Sequence, residues 1–243
     1  MLKMRIMRKK VSEESKNENS SYGSQTHFYE CFYDSVIFGK GLGANAVRRT
    51  HATMEKPWGG AHFKRVLEIG SGNGEHLDFI QHGFDEYVML DLRRTNLDSK
   101  WSSDLRIKTL EGNAESLPFG TGEFDRVIST CLLHHVEKPE LVLSEIERVL
   151  SQNGIATIFL SCDPGLAVRT LRKLTVARSA EKKGFKGYNL MISRDHRNHF
   201  GSLLEMAKFV FREQNFKVKY YPFGIKSWNL NGFAVITIKN IDS

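Results

Sequence analysis

No apolar run in the 243 residues approaches the roughly 18 that a bilayer-spanning helix requires, which excludes an integral membrane protein of the helical kind. Cysteine is scarce. Cys31, Cys131 and Cys162 are odd in number, far apart and without the close pairing of a zinc site, so no disulfide framework or structural metal is expected and a reducing compartment is. The first residues carry Lys3, Arg5, Arg8, Lys9 and Lys10 but lack the apolar core of a secretory leader, and no aromatic precedes Tyr22. Residues 1–21 therefore read as a disordered basic and polar arm, and the location expected is cytoplasmic.

What is present fits a globular chain, with 40% hydrophobic and 26% charged residues over a length that suits one α/β domain with additions. The most informative stretch runs Val66-Leu67-Glu68-Ile69-Gly70-Ser71-Gly72-Asn73-Gly74. It reads as a buried strand entering a glycine-dense turn and then a helix, where peptide N–H groups could lie against an adenosyl-containing ligand. A dinucleotide fingerprint would place its third glycine where Glu75 stands, which weakens a dehydrogenase reading. Glu68 is unusual in a buried parallel strand. An ionised carboxylate there is costly without a partner, and either a cationic ligand group or a neighbour such as Arg65 would supply one.

Further segments follow in order. Tyr87-Val88-Met89-Leu90-Asp91 reads as a second strand ending in an acid, placed after the glycines at a distance that suits the two hydroxyls of a ribose. Gly112-Asn113-Ala114-Glu115-Ser116-Leu117-Pro118-Phe119 comes next, then Phe124 to Val136, which contains Cys131 and His134-His135. Leu141, Val142, Ile146, Val149 and Leu150 fall at helical spacing between Pro139 and the stop Asn153-Gly154, and Ile155 to Leu160 is a further apolar strand.

Over residues 64–161 these segments resemble the class I S-adenosylmethionine-dependent methyltransferases, of the small-molecule type 11 kind. The resemblance implies an α/β fold with a doubly wound, mostly parallel seven-stranded sheet whose last strand is antiparallel, an N-terminal helical cover and an insertion after strand 5. It also implies S-adenosylmethionine as cofactor, held by Glu68, Gly70, Ser71, Gly72, Gly74, Asp91, Leu92, Asn113, Ala114 and Cys131. The family's commoner residue at Asn113 is Asp, but the amide carbonyl oxygen can still accept from an adenine amine. The implied layout is a single methyltransferase domain over 22–243: cover 22–62, cofactor-binding core 63–161, substrate-recognition insertion 162–212 and C-terminal hairpin 213–243. In the hairpin, Phe216 to Phe223 and Gly232 to Lys239 read as strands.

Methyl transfer to oxygen needs a positioned nucleophile and a group to take its proton. Imidazole suits that task near neutrality. Candidates are His134 and His135, of which at most one is expected to face the acceptor, and His196 and His199 in the cluster Ser193-Arg194-Asp195-His196-Arg197-Asn198-His199-Phe200. This cluster reads as a loop entering a helix, with Asp195 as a candidate cap. Arg194 and Arg197 could grip an anionic acceptor, Asp163 follows strand 5, and Tyr29 and Tyr33 would share a helix face in the aromatic-rich cover. His196-x-x-His199 with Asp195 or Asp163 could ligate a metal, but none is expected.

Arg169, Arg172, Lys173, Arg178, Lys182, Lys183 and Lys186 are opposed mainly by Glu181 and contribute much of the formal net charge of +7. With interleaved leucines they suit an anionic acceptor, or peripheral contact with an anionic membrane at its inner face. The sequence thus points to methylation of a small or lipid-linked anionic acceptor, with a sugar or nucleotide-sugar oxygen as the specific expectation. RNA methylation and a non-catalytic binding protein are the alternatives; nucleic acid is disfavoured because no RNA-binding module is appended.

Overall fold

Seven strands form one sheet in the order β3-β2-β1-β4-β5-β7-β6. The structure, a computed structural model, describes residues 24, 27–28, 31–93 and 95–240. The arm expected over 1–21, and Tyr29, lie outside the described residues. The strands are β1 His62–Ile69, β2 Gly83–Asp91, β3 Ile107–Glu111, β4 Phe124–Ser129, β5 Leu150–Ser161, β6 Asn215–Tyr221 and β7 Phe233–Lys239. The first five run parallel, and β7 is antiparallel to both β5 and β6. This is the doubly wound sheet with a reversed last strand that the sequence led us to expect. Among the described residues no helix is long and apolar enough to cross a membrane.

The chain forms two compact units, one of residues up to 48 with 170–195, the other of 49–169 with 196–243. The helices are α1 Tyr33–Ile37, α2 Leu42–Glu55, α3 Ser99–Ser102, α4 Pro139–Val149, α5 Leu166–Arg172, α6 Arg178–Lys182, α7 Tyr188–Asp195 and α8 Phe200–Val210. In the first unit Phe28 packs on Phe185 and Tyr188, with ring centroids 5.0 and 5.3 Å apart, beside Val36, Ala177 and Met191. Phe28, Phe32 and Tyr33 thus form a packing stripe within that unit. The second unit holds the sheet.

Both faces of the central strands are covered, which is why these strands are apolar at successive rather than alternate positions. Leu67, Ile69, Val88, Leu90 and Val127 turn to one side, against α4 and α8. Helix α4 forms because Pro139 pre-sets its first turn and Val142, Leu143, Ile146 and Val149 make one fully buried stripe. Each such side chain contributes about 1.5–3 kcal/mol by leaving water. The helix stops earlier than Asn153-Gly154. At Leu150 the backbone turns extended and β5 begins, so Asn153, at φ 61°, lies inside the strand near the point where its register with β4 shifts between Phe124 and Arg126.

The helix expected after the glycine turn is also absent. Between β1 and β2 the chain makes only a short 3-10 turn, Glu75–Phe79, before Gly83 re-enters the sheet. The face of Val66, Tyr87, Met89 and Ile128 is instead covered by Leu77 and by Met54 from the end of α2.

That face also buries charge. Arg126 and Glu55 have no exposed side-chain surface and meet at 2.9 Å (Nη2 to Oε1). The guanidinium also donates to Thr157 Oγ1 and lies 4.6 Å above the Trp58 ring centroid. His76 Nε2 sits 3.1 Å from Glu55 Oε1, and His76 Nδ1 2.7 Å from His51 Nδ1. Burial opposes ionisation of Glu55, but the His76 hydrogen bond and the Arg126 charge hold its carboxyl down at about 2. Burial, with His76 close by, pushes His51 down to about 3, so it is neutral.

Candidate functional site at the carboxyl end of the sheet

The parallel strands all deliver their carboxyl ends to one edge, where an open α/β sheet holds its ligand. The turn after β1 is built on positive backbone angles: φ is 74° at Gly70, 56° at Gly72 and 87° at Gly74. A Cβ on Gly70 would lie 3.0 Å from Leu132 Cδ1, and one on Gly74 2.8 Å from Leu97 Cδ1. The β4 exit loop therefore lies directly against the first glycine. The peptide N–H groups of the turn have internal acceptors. Those of Gly70 and Ser71 donate to the Leu90 carbonyl, that of Gly72 to Asp91 Oδ2 at 3.0 Å, that of Asn73 to Glu75 Oε2, and that of Gly74 to the Ser71 carbonyl. The expectation that these N–H groups await a ligand is corrected: the turn offers close approach of backbone instead.

Asp91 ends β2, and its second oxygen accepts from the Arg93 N–H at 3.0 Å. Leu92 beside it is 71% exposed. Asn113 is exposed with Oδ1 accepting from the Glu115 N–H, and Ala114 is buried. Glu68 does not pair with Arg65, whose guanidinium binds Glu86 at 2.7 Å and Glu123 at 2.9 Å. It accepts instead from the Tyr87 hydroxyl at 2.9 Å, while its other oxygen and the Ser71 hydroxyl are buried without a hydrogen-bond partner among the described residues. Burial pushes the Glu68 carboxyl up to about 7. Burial thus favours the neutral acid, which the sequence did not suggest.

Past β4, Cys131 is exposed in the left-handed region at φ 54°. His134 is buried, with Nε2 accepting from the Ser161 N–H at 3.0 Å and Nδ1 2.8 Å from the Asn198 carbonyl. The first bond fixes the tautomer, so Nδ1 carries the proton and donates. Burial pushes His134 down to about 3. With both ring nitrogens committed it ties β4, β5 and residue 198 together and offers no lone pair to an acceptor, which corrects its candidacy as a base.

His196 Nδ1 lies 2.7 Å from Asp163 Oδ2. Its ring stacks on His134, with centroids 5.2 Å apart, and meets His135 edge-on at 4.9 Å. The segment is stitched in place by Asn198, whose amide donates to the carbonyls of Leu133 and Val136 at 2.8 Å each, and by the Phe200 N–H on the Asp163 carbonyl. Asn198 was not singled out from the sequence; an amide among charged residues was the available signal.

The other candidates have surroundings of their own. His199 is exposed and occupies the N-cap position of α8 without a side-chain cap bond, so Asp195, the last residue of α7, is not that cap. Arg197 is exposed, 3.5 Å from Glu137. Arg194 is exposed in the last turn of α7, and Tyr33 packs edge-on against Phe28 and Phe38.

Residues 67–158 match the model of a methyltransferase domain. This is a class I S-adenosylmethionine-dependent methyltransferase domain. The chain is 30% identical over 95 residues to a fatty-acid O-methyltransferase of Mycolicibacterium smegmatis, a match covering 37% of this chain and 35% of that protein. It is 31% identical over 101 residues to 2-methyl-6-phytyl-1,4-hydroquinone methyltransferase 1, chloroplastic, of Oryza sativa subsp. japonica, covering 40% and 31%. Each match spans less than half of the curated relative's length. Among solved structures, Haemonchus contortus phosphoethanolamine N-methyltransferase 2 in complex with S-adenosyl-L-methionine superposes with a TM-score of 0.59 at 14% identity, over 87% of this chain and 56% of that one.

The cofactor of the methyltransferase domain is S-adenosylmethionine, and the residues present fit it. The glycine turn presents backbone without side chains at the end of β1, Asp91 presents a carboxylate at the end of β2, and Ser71 and Glu68 keep buried polar atoms unsatisfied among the described residues. When bound, the cofactor supplies an electrophilic methyl group on a sulfonium.

Proposed function

We propose that the chain is an S-adenosylmethionine-dependent methyltransferase acting on a hydroxyl oxygen of a small or lipid-linked acceptor, with His196 as general base and Asp163 as the residue that positions it. The observation that carries this reading is the 2.7 Å contact between His196 Nδ1 and Asp163 Oδ2, at the same edge of the sheet as the glycine turn. With Nδ1–H directed to the carboxylate, Nε2 is the nitrogen with the lone pair. As the acceptor oxygen takes the methyl group, its proton passes to Nε2, and the Asp163 carboxylate stabilises the resulting imidazolium. His135, edge-on to His196, borders the same space. Asp91, Asn113, Ala114 and Leu92 are the residues assigned to the adenosine part of the cofactor, and Gly70 to Gly74 to its close approach.

The names of the relatives support an acceptor with a hydrocarbon part, since one carries a fatty acid and another a phytyl hydroquinone. A sugar or nucleotide-sugar acceptor has no such support. The formal net charge of +7 fits an acid group on the acceptor. Calorimetry with S-adenosylhomocysteine tests the cofactor assignment: micromolar binding is expected, weakened at least about tenfold by Asp91→Ala. Absence of heat from the unaltered protein would defeat it. His196→Gln, assayed with an amphiphilic hydroxyl acceptor, is expected to keep that affinity and lose about 10²–10⁴ in kcat.

A further inference from the structure

The turn joining β6 to β7 exposes large apolar side chains in close succession: Phe223 is 68% exposed, Ile225 53%, Trp228 38% and Leu230 50%. Such a run on a surface loop marks a contact site unless something covers it. The loop is built rather than loose. Asn231, with no exposed surface, accepts from the Phe223 N–H and donates to the carbonyls of Ile225 and Ser227, each at 2.7 Å. Asn229 accepts the N–H groups of Leu166, through its side chain, and of Ala167, through its carbonyl. Leu166, 66% exposed, therefore stands beside the loop.

Charge on this hairpin has one sign. Residues 214–232 contain Lys217, Lys219 and Lys226 and no Asp or Glu. Lys219 and Lys226 border an open hollow of about 330 Å³ together with Tyr220, Tyr221 and Phe223. The register pairs Ser161 with Phe233, so the loop projects from the edge of the sheet at which β5 ends, next to Asp163. The Cys162 N–H donates to the Gly232 carbonyl there.

We infer that this hairpin tip, with Leu166, docks the protein on an anionic lipid surface. Phe, Ile, Leu and Trp side chains held out by a fixed loop suit the boundary between headgroups and acyl chains, where an indole can lie with its ring in the apolar layer. The lysines around the hollow complement lipid phosphates. A surface made of apolar side chains and uncompensated lysines matches a bilayer of net negative charge better than the mixed-sign rim of a protein partner. The inference goes beyond methyl transfer and is tested without cofactor or acceptor, so either reading can fail alone.

The experiment is co-sedimentation of the full chain with vesicles of phosphatidylcholine alone and of equal parts phosphatidylcholine and phosphatidylglycerol, at low and at 0.5 M salt. Binding to the anionic vesicles is expected, weaker at high salt, with a blue shift of tryptophan emission that Trp228→Phe removes. Phe223→Ser with Ile225→Ser is expected to reduce partitioning at least about tenfold. Should that variant fail to fold, Lys219→Glu with Lys226→Glu, both exposed, is expected to abolish the anionic preference. No sedimentation with anionic vesicles, or binding unaltered by these hairpin variants, would overturn the inference.

Discussion

Arg126 in strand β4 and Glu55 at the end of helix α2 form an ion pair at 2.9 Å with no solvent contact on either side chain. Two charges in so dry a place are tolerable only together. Removing one leaves the other unpaired at a cost of about 3–5 kcal/mol, whereas replacing both with apolar groups of similar volume is close to neutral. Urea unfolding at pH 7 is expected to show this pattern for Arg126→Met, Glu55→Leu and the double variant.

Glu68 gives stability an uncommon pH dependence. Its carboxyl is pushed from 4.5 up to about 7, so the unfolded chain releases this proton first as pH rises. The group's contribution is therefore fully favourable below 4.5, declines through that interval and levels off above 7. A shift of this size corresponds to about 3 kcal/mol, and Glu68→Gln is expected to recover much of it at pH 8 while changing little at pH 4.5. Thermal unfolding at the two pH values measures the difference.

Two buried histidines act in the opposite direction. His51 and His134 are each held at about 3, so between pH 6.5 and 3 the unfolded chain binds protons that the folded chain refuses. Their contribution is present above 6.5 and is lost as pH falls. Near pH 5 each adds about 1.4 kcal/mol per pH unit to the slope of stability, and His134→Gln is expected to remove one such increment. Glu55, at about 2, adds to the loss only below 4.5.

Gly70 combines a φ of 74° with a side chain at its door. Gly70→Ala meets Leu132 Cδ1 at 3.0 Å and forces an L residue into the left-handed region, at about 1–2 kcal/mol. The β4 exit loop must then shift. Denaturation together with S-adenosylhomocysteine calorimetry is expected to show the variant folded, less stable and weaker in cofactor binding.

Asp163→Asn separates orientation from charge at the proposed base. The amide can still contact His196 Nδ1 but favours the tautomer with its proton on Nε2, so kcat is expected to fall by about 10²–10⁴ with cofactor affinity unchanged. An activity equal to that of the unaltered protein would show that His196 is not oriented through this contact.

Some of this was legible in the sequence because the requirement was local. A turn that needs three positive backbone angles leaves little choice but Gly70, Gly72 and Gly74, and an acid at the end of a buried run marks Asp91. The helical stripe of α4 was readable for the same reason, whereas its stop was misplaced because Asn153 serves a strand irregularity as readily as a helix end. Residues whose partners are distant gave no signal. Nothing marked Arg126, because its counterion lies 71 positions earlier. His134 looked like a base because the partners that occupy its two nitrogens lie 27 and 64 positions away.

The placement of Glu55 bears on where this domain can be cut. A fragment beginning at Phe63, or at the start of the family match at residue 67, contains the glycine turn and every residue assigned to the cofactor, yet it discards the only carboxylate paired with Arg126 among the described residues. Such a piece would carry a stranded guanidinium at the centre of its sheet and is expected to be recovered as aggregate. One starting before α2 keeps the counterion and is expected to be soluble.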